Sequence, residues 1–233
     1  MLIKSAAIVL KQIPYTDHAS VVTIYTRELG LQRFLVQGLH KKNNKNAYFL
    51  VGNTIEIVFN AKSNPGLLRI KEVSNLGSNA AYDQFGVQQI KWFYLEIIGN
   101  CLQDGHHADH ELFDFTFNHF QQLKPASNLG YLPIAFLIGL GMHLGYEIDW
   151  QLGLNTSLDL TTGGSSTAST PSYFRTESWM NRAIFEISQG NVPQLNKTER
   201  RMLVDKLVAH LQHHLFPQRT LKSLEIFDMI NAE

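Results

Sequence analysis

The hydrophobic period of this chain changes once, near Tyr82, and that change constrains the fold more than any single motif does. Before it, apolar and polar residues alternate, as in a half-buried strand; after it, apolar residues recur at three- and four-residue spacing, as on one face of a helix. The early segment reads as five short strands: Ser5–Gln12, Ser20–Thr26, Leu31–Gly38, Thr54–Asn60 and Leu67–Val73. They are rich in Val, Ile, Leu, Tyr and Phe. Turn signals separate them, at Gly30, Asn43–Asn44, Gly52–Asn53 and Asn64-Pro65-Gly66. In the third strand Leu31, Arg33, Leu35 and Gln37 alternate with Gln32, Phe34 and Val36. In the fourth, Ile55, Ile57 and Phe59 alternate with Thr54, Glu56 and Val58. Five short strands with a long connection before the fourth suit a small, partly open barrel of the OB type, and an SH3-like barrel fits the periodicity nearly as well.

The later segment reads as helices. Trp92, Leu95, Ile98, Gly99 and Leu102 follow helical spacing, as do Leu112, Phe113, Thr116, Phe117 and Phe120. A third helix is expected from about Leu132 to Leu144. The apolar run Tyr131–Tyr146 that contains it holds Pro133, His143 and three glycines, and is too short to span a bilayer. Residues Thr161–Pro171 are only Thr, Gly, Ser, Ala and Pro. That composition lacks apolar surface, so an exposed or disordered loop is expected at about 160–171. Helical pattern resumes over Glu177–Ser188 and again from Asn196, where Asn-Lys-Thr-Glu has the form of a capping box. A last short helix is expected at Leu221–Ile230. The fold class is therefore α+β in two domains, a barrel over 1–78 and an α-helical domain over 79–233.

Net charge is zero, yet it is unevenly divided. Residues 1–80 carry ten Lys/Arg against four Asp/Glu, which leaves the remaining residues equally acidic in excess. A basic barrel on an acidic body points the barrel toward a polyanion. Within it, Gly38-Leu-His-Lys41-Lys42-Asn-Asn-Lys45-Asn-Ala-Tyr48-Phe49 sets three lysines beside two aromatics. Such a stretch suits phosphate contacts from Lys41, Lys42 and Lys45, with Tyr48 or Phe49 stacking on an unpaired base. The bland alternative for it is a solvated loop. Arg33, Arg69 and Lys71 alternate with apolar neighbours, so they should project from strands, and with Lys11 they would extend one basic face.

No catalytic constellation is found, and an enzyme is not expected. There is no Walker loop, no G-x-S-x-G elbow and no C-x-x-C. The single cysteine, Cys101, sits among Ile97, Ile98 and Leu102 and reads as a small buried hydrophobe. It fits a reducing compartment, and the N-terminus lacks the pattern of a secretory leader. His106, His107 and His110, and His210, His213 and His214, each contain an i, i+4 pair, but neither matches the H-E-x-x-H form. Surface helix histidines explain them.

Several short stretches, taken in order, resemble the RecO family of bacterial recombination mediators. They are Ala7-Ile-Val-Leu-Lys11, Tyr15-Thr-Asp17-His-Ala-Ser20 and Val22-Thr-Ile-Tyr-Thr-Arg27-Glu-Leu-Gly30 near the start. Gly38-Leu-His-Lys-Lys42 and Gly145-Tyr146-Glu-Ile-Asp149 follow, and His214-Leu-Phe-Pro-Gln-Arg219-Thr-Leu-Lys222-Ser223-Leu ends the series. The resemblance implies an OB-fold DNA-binding domain joined to a helical domain. It implies binding of single- and double-stranded DNA, strand annealing, and, with RecR, loading of RecA onto strands coated by SSB, whose acidic C-terminal tail is bound. Lys91, Arg182, Arg200 and Arg201 are the cations available for that tail. A cytoplasmic, nucleoid-associated protein is implied, with no membrane contact. Many family members hold zinc with four cysteines after the central helix. Asp149–Phe174 here has neither cysteine nor histidine, so no zinc or other cofactor is expected, and the Thr/Gly/Ser stretch reads as a relic of that element. Two rival functions remain at this level: an adaptor whose basic face meets an acidic protein partner, and a histidine-metal hydrolase built on His106 and His110 or His210 and His214.

Overall fold

A computed structural model describes the chain except for residues 39–44, 62–66, 78–84, 103–107, 125–127 and 225–233. Five strands form one antiparallel sheet in the order β3-β2-β1-β4-β5. They are β1 (Leu2–Thr16), β2 (Ala19–Thr26), β3 (Gly30–Gln37), β4 (Thr54–Asn60) and β5 (Ile70–Asn75). The two edges meet through a parallel bridge between Phe34 and Leu68. The Leu68 N–H donates to the Arg33 carbonyl at 2.9 Å, and the Leu35 N–H donates to the Leu68 carbonyl at 2.8 Å. This seam joins the two edges at one point and curls the sheet into the partly open OB barrel. The first strand begins earlier and runs longer than its periodicity suggested. The last begins at Ile70 rather than Leu67, because Leu67–Arg69 serves the seam.

The alternation read in β3 and β4 is the one the barrel uses. Phe34 and Val36 from β3 meet Ile55, Ile57 and Phe59 from β4 in a core completed by Ala7, Val9, Val22, Ile24, Phe49 and Leu68. Phe34 and Phe59 pack edge to face at 5.1 Å. One end of the barrel is plugged by the short helix α1 (Lys45–Tyr48) and the turn after it. Asn53 Nδ2 donates to the Ala47 carbonyl at 2.7 Å, and the Gly52 N–H donates to the Val9 carbonyl at 2.7 Å. Gly52 has φ +85°, a conformation that favours glycine, and the Lys91 stem lies over it, with Cε 2.0 Å from where a Cβ would sit.

By contacts the chain divides into two units, Met1–Pro125 and Ala126–Glu233. The strands end where the composition shifts, but the first unit continues through α2 (Phe85–Cys101) and α3 (His110–Gln122). The Thr26-Arg27-Glu28-Leu29-Gly30 stretch shows how α3 is held. The Thr26 hydroxyl donates to the Gly30 carbonyl at 2.9 Å and accepts from the Leu29 N–H, closing the β2–β3 turn. Gly30 takes φ +68°. Arg27 then forks onto Asp114 of α3 at 2.7 and 2.8 Å, while Tyr25 packs edge to face on Phe113.

The second unit contains α4 (Leu132–His143), α5 (Ser178–Ser188) and α6 (Lys197–Leu215). Asn196 caps α6 with the expected reciprocal box: its side chain accepts from the Glu199 N–H, and Glu199 accepts from the Asn196 N–H. The helix expected at Leu221–Ile230 begins at Lys222 and otherwise lies outside the described residues.

The Thr161–Pro171 stretch is a largely exposed loop without helix or strand, as its composition suggests, and it is held by hydrogen bonds. Asp159 accepts from the Thr161 N–H and hydroxyl at 2.9 and 2.7 Å, and from the Thr170 hydroxyl at 2.9 Å. Arg175 donates to the carbonyls of Thr167 and Thr170, each at 2.8 Å. Paired bridges Leu158–Ser165 and Asp159–Arg175 close it into a small knot. Short hydroxyl side chains supply here the order that apolar surface supplies elsewhere.

Candidate nucleic-acid interface

The outer surface of β1, β2 and β3 gathers part of the basic set. An irregularity in β1 between Val9 and Lys11 leaves Leu10 without a partner. A bulge of this kind moves the following side chains to the other face. Lys11 therefore pairs with Thr23, and Thr23 pairs with Arg33, so the three stand in one row across three strands. Their neighbours Val22, Ile24 and Phe34 are in the core, which fixes the row as outward-facing. Two strand spacings, about 10 Å, separate Lys11 from Arg33. Arg69 follows Leu68 at the seam, where the parallel bridge to Phe34 sets it in register with Leu35, two residues along β3 from Arg33, and it is exposed. Lys11 and Arg69 are both exposed.

The remaining predicted positions are distributed differently. Lys71 is exposed at a second irregularity, where β5 skips a residue against Val58 and Phe59 of β4, and Glu72 is exposed next to it. No strand register ties Lys71 to the Lys11–Arg33 row. Lys41 and Lys42 lie outside the described residues. Lys45 opens α1. Tyr48 is half-buried against the barrel core. Phe49 corrects the expectation of an aromatic available for stacking: it is 1% exposed and fills the core, because the plug needs an apolar anchor.

Two further readings are revised by burial. Lys91 is 5% exposed, and burial lowers its ammonium to about 8, so it is not on offer to an acidic tail. Its stem covers Gly52. His210 is not a surface histidine. It is buried, with Nδ1 2.7 Å from the Leu160 carbonyl and Nε2 2.8 Å from the Tyr146 carbonyl, tying α6 to two other segments. His214 stacks on Tyr146 and His213 packs edge-on against Phe174. These are packing roles. His106 and His107 lie outside the described residues. Cys101 is buried as expected, and burial pushes its thiol up to about 12.

Sequence reasoning put Leu35 on the face of Arg33 but missed the outer-face neighbours Ile13 and Val21, and the exposed Tyr15. No composition signal marks a bulge, so the switch of face after Leu10 was not readable. Tyr15 belongs to the Tyr15-Thr-Asp17 stretch, whose sequence carries no information on its position in space.

Residues 1–79 match the family model described as "Recombination protein O N terminal". Among curated relatives, the DNA repair protein RecO of Chlorobium phaeobacteroides is 26% identical over 151 residues, which is 63% of this chain and 57% of that protein. The DNA repair protein RecO of Flavobacterium psychrophilum is 25% identical over 238 residues, covering 97% of this chain and 98% of that protein. That of Chlorobium luteolum is 40% identical over 63 residues, 27% of this chain and 24% of that protein. Identity is thus highest over a short stretch, and similarity continues at a lower level along the whole length.

Proposed function

This chain belongs to the RecO family, and on that footing we propose that it is a DNA-binding mediator of repair and recombination that grips the phosphate backbone with the outer face of its barrel. The relatives support a DNA repair protein. The observation that carries the finer reading is the Lys11–Thr23–Arg33 row with Arg69 beside it, on the strand face that OB folds use for oligonucleotides. Phosphates are met there by Lys11, Arg33 and Arg69. Lys71 and the connection carrying Lys41, Lys42, Lys45 and Tyr48 extend the contact. None of these side chains reads a base edge, so binding is independent of sequence. A face that neutralises two strands lowers their repulsion and favours annealing.

Partners enter from the family resemblance: RecR, RecA as the protein loaded, and the acidic C-terminal tail of SSB. Of the cations considered for that tail, Arg201 is held by Asp205 at 2.9 Å and Arg200 lies over the Tyr131 ring at 5.3 Å. Arg182 is exposed on α5 and is the best placed. No helix among the described residues is long and apolar enough to cross a membrane.

The test is fluorescence anisotropy of labelled single-stranded DNA across a salt series. Neutralising about four phosphates gives a slope near −3, so a fourfold rise in salt weakens binding roughly 50-fold. Arg33→Ala/Arg69→Ala should flatten the slope by about one to two. Binding that ignores salt, or a variant that binds like wild type, would return the barrel to the adaptor reading.

A further inference from the structure

The same outer face carries an apolar row beside its cations. Ile13, two residues beyond Lys11, pairs with Val21, and Val21 pairs with Leu35. Ile13 is 46% exposed, and Val21 and Leu35 are half-buried. Past Ile13, β1 is irregular again between Pro14 and Thr16, and the residue at that irregularity, Tyr15, is 64% exposed. The bend that follows is fixed to the end of β3, where the Gly38 N–H donates to the His18 carbonyl at 2.8 Å. Tyr15 thus lies three residues before His18, which meets the end of β3.

Exposed Ile13 and Tyr15 gain nothing from a duplex, whose phosphates and sugars screen its stacked bases. An unpaired base gives them a π-face, and its own phosphate is then within reach of the neighbouring cations. Tyr48, half-buried, offers little ring surface for this, and Phe49 offers none. Asp17 is the acid at the bend and works against a phosphate there, which favours the base rather than the backbone at Tyr15.

We infer that Tyr15, backed by Ile13, is the base-stacking position of this face, so that the face selects single-stranded over duplex DNA. Phosphates run along Lys11, Arg33 and Arg69 while a base lies on the Tyr15 ring. This deepens the DNA-binding reading above and rests on it.

The experiment measures anisotropy at one salt concentration with three labelled probes: an oligo-dT, an abasic strand of the same length and charge, and a duplex. Tyr15→Ala should weaken oligo-dT binding about tenfold and leave duplex binding unchanged, while Tyr15→Phe keeps wild-type affinity. Wild type should bind the abasic strand as weakly as Tyr15→Ala binds oligo-dT, with no further loss when the two are combined. If Tyr15→Ala binds oligo-dT like wild type while Arg33→Ala/Arg69→Ala is weakened, the stacking position is wrong and the basic face stands. If the arginine variant also binds like wild type, both readings fall. A thermal melt matching wild type guards against loss through misfolding.

Discussion

In the barrel, apolar side chains from all five strand regions converge on one core, whereas between Leu158 and Thr176 the buried Leu158, Leu160 and Phe174 flank a stretch held by a carboxylate, a row of hydroxyls and a guanidinium. Both segments lie in the same molecule and both are folded, yet their order comes from different forces. The barrel's order scales with apolar area removed from water, is non-directional and tolerates imprecise geometry. The Asp159 knot depends on a few directional bonds, each modest in net contribution because water competes for the same groups. The comparison predicts unequal costs when each is broken.

The largest effect is expected in the core. Phe34 is fully buried, packs on Phe59 and sits at the seam that closes the barrel. Phe34→Ala should destabilise the first unit by about 3–5 kcal/mol, read as a shift in denaturant midpoint at unchanged slope. A loss below about 1 kcal/mol would mean that the seam, rather than the core, holds the barrel.

A smaller loss is expected in the knot. Asp159→Ala removes the acceptor shared by Thr161 and Thr170, and should cost about 1–2 kcal/mol, confined to 158–176. Amide exchange would locate it. Hydrogen bonds from Thr161, chiefly its hydroxyl, hold the Asp159 carboxyl below its ordinary range. A depressed folded value adds stability that is present above the unfolded value of about 3.9 and is lost as pH falls through the folded one. Acid below about pH 4 should therefore loosen the knot in wild type but have little further effect in Asp159→Ala. Equal acid response in both proteins would mean that the hydroxyl bonds do not control this segment.

The same contrast explains what could be read before the structure. Period-two alternation in β3 and β4 carried the barrel, because a buried face imposes it residue by residue. The capping box at Asn196 was legible because its two bonds have fixed spacing. Bulges carry no such mark: the irregularities after Val9 and at Lys71 change which face a cation occupies without altering composition. Hence Arg33 was placed on a strand face correctly and Lys11 was joined to its basic face, while Thr23 between them, and the exposed Ile13 and Tyr15, were not seen. Phe49 and Lys91 were misjudged for a related reason. An aromatic after a polar run and a lysine on a helix look like surface residues until the barrel's plug and Gly52 are known. The Thr/Gly/Ser stretch was legible as an exposed loop, but its bonds to Asp159 and Arg175 were not, since low apolar content says nothing of directional polar order.

The smallest effect is expected where polar contact supplements an apolar interface. Arg27 forks onto Asp114, but both side chains keep substantial solvent exposure, 36% and 48%. Beneath them Tyr25 and Phe113 are buried and in ring contact. If apolar burial dominates the first unit, Arg27→Met should shift its melting temperature only slightly, and 1 M salt should shrink the difference further by screening. Asp114 is held below the usual carboxylate range chiefly by its bonds to Arg27, so the pair's contribution is likewise lost as pH falls below about 4. Tyr25→Ala, by contrast, should be far more damaging than Arg27→Met at every salt concentration. Were the arginine variant the more damaging, the fork would be the true anchor of α3, and the first unit would resemble the Asp159 knot more than its own core.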